Sequence, residues 1–111
     1  MAAASIPCIH RAITADTSSA VIKSNYEYFC AYLEYQRQEY ESAFTNVQHA
    51  FHELQSLLRR NPPNMLILRE TYSERLEIET KNLVREQHLM RSLANTVEAH
   101  RNELRRRRVR M

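Results

Sequence analysis

The 111-residue chain has no glycine, no tryptophan, and only three prolines, Pro7, Pro62 and Pro63. Ordinary glycine usage of about 7% would put about eight in a chain this long. Sandwiches, barrels and βαβ units use glycine at tight turns and close backbone approaches, so its absence argues against all of them. It also removes every Gly-rich phosphate loop, and with it the P-loop and dinucleotide-binding readings. Nothing between Pro7 and Pro62, or after Pro63, breaks a helix.

Other features are scarce. The two cysteines, Cys8 and Cys30, have no CxxC spacing, and Cys8 has only His10 near it in sequence. The opening MAAASIPCIHRAI lacks the continuous apolar stretch of a secretory signal. No run approaches the roughly 20 apolar residues of a membrane span. These features predict an intracellular protein of the cytoplasm or nucleus with reduced thiols. No Glu-x-x-His occurs, and His49 with His52 and Glu53 falls short of a zinc or di-iron ligand set. A helical rod without a cleft cannot desolvate a carboxylate pair. The expectation is no enzyme, no catalytic or metal-binding residue, no cofactor and no small-molecule substrate.

What is present is helical period. Residues 1–16 have none and are expected to be a flexible tail; Asp16, Thr17 and Ser18 are N-cap residue types. A stripe then runs Ile22, Tyr26, Phe29, Leu33, Gln36, Tyr40, Phe44, Val47, Phe51, Leu54, Leu58. Its mean step is 3.6 residues, with a 4-4 stutter at Gln36-Tyr40-Phe44. Arg59 and Arg60 suit the negative end of a helix dipole, and Asn61 before Pro62 stops the helix. Pro63 is expected to hold the chain extended and Asn64 to cap a second helix. That helix carries Met65, Leu68, Tyr72, Leu76, Glu79, Leu83, Glu86, Met90, Leu93, Val97, His100 and Leu104 in steps of about 3.5, the coiled-coil spacing.

The predicted fold is all-α: a long, coiled-coil-like antiparallel hairpin over 17–108, completing a larger helical bundle with partner chains. Helix one spans 17–60, the turn 61–64, and helix two 65–108. The two stripes are expected to form the hairpin seam, either with Gln36 and Glu86 as a polar layer that fixes register or with Glu86 turned outward and Leu89 filling the seam. Residue i would lie opposite about 125 minus i. Val21, Tyr28, Tyr32 and Tyr35 form a second stripe about 110° round the first helix, at 100° per residue, and are the expected partner interface. Ile67, Ile78 and Leu89 flank the stripe of the second helix.

Charge is unevenly placed. Residues 1–60 hold five Lys/Arg against six Asp/Glu, and 61–111 hold eleven against seven. The excess is the basic end 105–111, with Arg105, Arg106, Arg107, Arg108 and Arg110. This end could serve nuclear import, phosphate contact or an acidic protein surface, or be a solvated helix end that suits the dipole. No aromatic interleaves the arginines, which disfavours base stacking, and Val109 alone is too little apolar surface for membrane insertion.

In size and period, residues 17–108 resemble the small helical-hairpin subunits of coiled-coil assemblies, such as kinetochore, organelle-positioning, mediator and synaptonemal complexes. The sequence therefore predicts a non-enzymatic scaffold subunit docking on helical partners, as a hetero-oligomer in preference to a homodimer. The alternative is a small nucleic-acid-associated or nuclear protein using the arginine cluster.

Overall fold

A computed structural model describes residues 13–110; residues 1–12, which include Pro7, Cys8, His10 and most of the expected tail, and residue 111 lie outside the described residues. The chain is all-α. Its two helices, α1 (Ser19–Arg60) and α2 (Met65–Arg106), are joined by a four-residue corner into an antiparallel hairpin, with no strand among the described residues.

Local chemistry sets each boundary. Ser18 caps α1, its Oγ accepting the Val21 N–H at 3.2 Å. Thr17 is drawn instead into a turn, where its Oγ1 accepts the Thr14 N–H and its own N–H donates to the Thr14 carbonyl, both at 3.1 Å. Residues 13–18 are thus folded against the helix start. At the far end of α1, Asn61 adopts the left-handed region (φ 47°) and its N–H donates to the Leu57 carbonyl. Asparagine tolerates that conformation better than most residues, so it ends the helix where glycine often would. Pro63 is not extended. It occupies the second position of a turn closed by the Met65 N–H on the Pro62 carbonyl at 3.1 Å, a position that suits the fixed φ of proline.

α2 stops at Arg106, two residues short of the expected 108. Val109 N–H donates to the Leu104 carbonyl and Arg108 N–H to the Arg105 carbonyl, with Arg108 left-handed at φ 58°. Those two bonds define a Schellman cap.

The chain divides into two compact units, one built from residues up to Gln36 and from Leu89 onward, the other from Arg37–His88. In unit one, Phe29, Leu93 and Val97 form a buried cluster, with Tyr26, Cys30, Tyr32 and Leu33 packed against it. Ile22, Gln36, His100 and Leu104 are also buried. Phe29 meets His100 edge-on at 5.3 Å, and His100 Nδ1 lies 2.8 Å from the Thr96 carbonyl, as a donating N–H would. Arg101 donates to the Tyr26 hydroxyl, so residue i of α1 lies opposite roughly 127 minus i of α2.

In unit two, Arg75 places one guanidinium nitrogen 2.8 Å from both oxygens of Glu53, which gives nearly the same spacing. The buried residues of α1 here are Ala43, Ala50 and Leu57. Phe44, Phe51 and Leu58, expected in the seam, are instead 46%, 47% and 48% exposed. Ile22, Phe29, Gln36, Ala43, Ala50 and Leu57 recur every seven residues, so the buried row of α1 keeps coiled-coil spacing and has no stutter. The cause is steric: helix axes approach more closely over alanines than over phenylalanines, and the larger rings are displaced to the flank. Tyr40, Val47 and Leu54 of α1 are half-buried, as are Leu68, Tyr72, Leu76, Glu79 and Leu83 of α2.

Candidate partner-docking surfaces

The aromatic face of unit one stands on α1. Val21, Tyr28 and Tyr35 recur every seven residues and are 50%, 56% and 53% exposed. Tyr32, one turn from Tyr28, is half-buried because its ring packs on the Phe29–Leu93–Val97 cluster. The rings contact one another edge-on: Tyr28–Phe29 at 5.3 Å, Tyr28–Tyr32 at 6.1 Å and Tyr32–Tyr35 at 6.4 Å. The edge positive charge of one ring thus meets the face negative charge of the next. Of the four residues expected at a partner interface, three are open and Tyr32 is a bridge between that face and the core.

The arginine cluster is less uniform than its sequence. Arg107 is half-buried and donates to the Thr17 carbonyl at 2.5 Å, the Thr14 carbonyl at 3.1 Å and the Ser19 hydroxyl at 3.3 Å. Its Nε also donates to Glu103 at 2.5 Å, and Arg106 pairs with the same carboxylate. Hydrogen bonds from Arg106 and then Arg107 hold the Glu103 carboxyl down to about 2, against an ordinary 4.5. The cluster therefore does not act as five equivalent cations. Arg105, Arg108 and Arg110 are exposed, Arg106 is tied to a carboxylate, and Arg107 fastens the N-terminal turn to the end of α2. The Glu103-x-x-Arg106-Arg107 spacing could have signalled the pairing at the end of α2; the link to Thr14 and Thr17 has no local signature.

Gln36 is buried in unit one and Glu86 half-buried in unit two, and each engages in polar interactions. His49 and His52 are exposed, and the Glu53 carboxylate beside them is occupied by Arg75. No group of three or more metal-capable side chains occurs among the described residues. Two surface depressions, one along 38–46 and one along 78–85, each lie on a single helix and open to solvent. No helix of the described residues is long and apolar enough to cross a membrane. Comparison with protein-family models, curated proteins and solved structures finds no match to this chain.

Proposed function

We propose that this chain is a non-enzymatic scaffold subunit that joins other helical chains through the tyrosine face of unit one. The observation that carries the reading is the exposed file of Val21, Tyr28 and Tyr35, braced from behind by Tyr32 on a buried cluster. Tyrosine buries a large ring while its hydroxyl tolerates a wet rim, which is why interfaces favour it. A single file of rings fits a groove that a partner of different sequence supplies; a second copy would bring another file. A heterologous helical partner is therefore preferred at this face.

The test is co-purification of the tagged full chain from cells, followed by the stoichiometry of what accompanies it. The expected result is one or more helical proteins in fixed ratio, lost with Tyr28→Ala plus Tyr35→Ala and retained with Ile78→Ala. Retention of the same proteins by the double tyrosine variant, with helicity intact, would overturn the reading.

Nucleic-acid association is the weaker reading, because Glu103 neutralises part of the arginine cluster. Three open arginines predict a log-log salt slope of about −3 for duplex, against about −4.5 for five.

A further inference from the structure

Unit two carries a second apolar seam that α2 does not cover. Along α1, Tyr40, Phe44, Val47, Phe51, Leu54 and Leu58 alternate steps of four and three, the spacing of a coiled-coil seam. The row Tyr40, Val47, Leu54 is half-buried, shared with the seam that faces α2. The row Phe44, Phe51, Leu58 is about half exposed along its whole length. One helix with two adjacent seams sharing a row is what an inner helix of a bundle presents, one seam to each neighbour. All six positions are apolar, and at 1.5 Å per residue they run about 27 Å.

We infer that the occupant of this seam is α1 of a second copy of the chain, packed antiparallel about a two-fold axis. The spacing is self-complementary. About such an axis, Tyr40 meets Leu58 of the copy, Phe44 meets Leu54 and Val47 meets Phe51, and every layer occurs twice. Each layer thus sets a residue of the exposed row against one of the shared row, so no two phenylalanines share a layer. The rims carry no like-charge conflict. Arg75 and Glu53 occupy the opposite edge of the hairpin, so the α2 edge beside this seam is Ser73, Thr80 and Gln87, all uncharged. The far rim of α1 is Glu41, Gln48 and Gln55, which places Gln48 beside its own copy and Glu41 beside Gln55. Arg37, which ends the apolar row, is paired with Glu41 at 2.5 Å. None of the six residues of this seam belongs to the tyrosine face of unit one.

The test uses the full purified chain in sedimentation equilibrium and light scattering. The expected mass is twice 13.2 kDa, falling to the single-chain value with Phe51→Glu and unchanged with Ile78→Glu. Should Phe51→Glu unfold, geometry decides through surface cysteines in a Cys8→Ser, Cys30→Ser background. Gln48→Cys should be captured as a dimer by a short bis-maleimide. Gln55→Cys should not, because the axis separates the two copies of position 55 by about 14 residues, near 21 Å. A monomeric wild-type chain at 100 µM overturns the inference and leaves the seam to a different chain. Equal cross-linking at 48 and 55, or a dimer indifferent to Phe51→Glu, overturns the antiparallel packing. Tyr28→Ala with Tyr35→Ala is expected to leave this mass unaltered, so loss of the tyrosine-face reading and loss of this one are told apart.

Discussion

At the scale of single residues, the end of α2 carries the most informative chemistry. Glu103 is an acid held ionised by Arg106 and Arg107, its folded value about 2 against 4.5 when unfolded. A carboxyl depressed on folding adds stability that is fully present above its unfolded value and lost as pH falls toward its folded one. Glu103→Gln should therefore melt below wild type at pH 6, and the gap should close between pH 4.5 and about 2. Thermal melts across that range check it, and a gap that persists at pH 2 would mean the carboxylate is not the source. Arg108 holds a left-handed conformation that glycine adopts without a Cβ penalty. Arg108→Gly should stabilise by about 0.5–1 kcal/mol in urea unfolding. No change would place the Schellman cap outside the cooperative unit.

At the scale of the element, the two helices and their corner were legible because uninterrupted periodicity and a double proline are local signals. Which stripe of α1 faces α2 was not. Bulk was read as burial, so Phe44, Phe51 and Leu58 took the places that Ala43, Ala50 and Leu57 hold. The seven-residue recurrence from Ile22 through Gln36 points to the alanines, but choosing them needs the distance between helix axes, which only packing supplies. A seam closed over alanine has no room for more. Ala50→Leu should destabilise unit two by about 1–3 kcal/mol through overpacking, whereas Ala99→Leu on an exposed position of α2 should lie within about 0.5 kcal/mol of wild type. Urea midpoints at constant m compare the two. Equal effects would place Ala50 on the surface.

At the scale of the whole molecule, the proposed function rests on two exposed rows of α1. Two apolar rows on α1 point to two kinds of neighbour, tyrosines of unit one to a different helical chain and the Phe44–Leu58 row of unit two to a copy. A hetero-oligomer containing two copies of this chain is the assembly these rows predict. The stoichiometry of the co-purified complex checks it, and a single copy per complex would remove the second row from the account. The tyrosine row was visible from sequence because exposed aromatics at helical spacing stand out against a polar face. Arg107 was not, since its partners Thr14 and Thr17 are about ninety residues away and become neighbours only through the hairpin.

That fastening decides where the two ends of the described chain emerge. With the Arg107 guanidinium seated on the Thr14 and Thr17 carbonyls, residues 14 and 107 leave unit one from one place. A fluorophore and its acceptor attached there would report the latch by energy transfer, high when shut and falling as acid protonates Glu103. Bulky groups attached at residues 14 and 107 would crowd the same spot, so labels for imaging belong at exposed Glu74 or Lys81 instead.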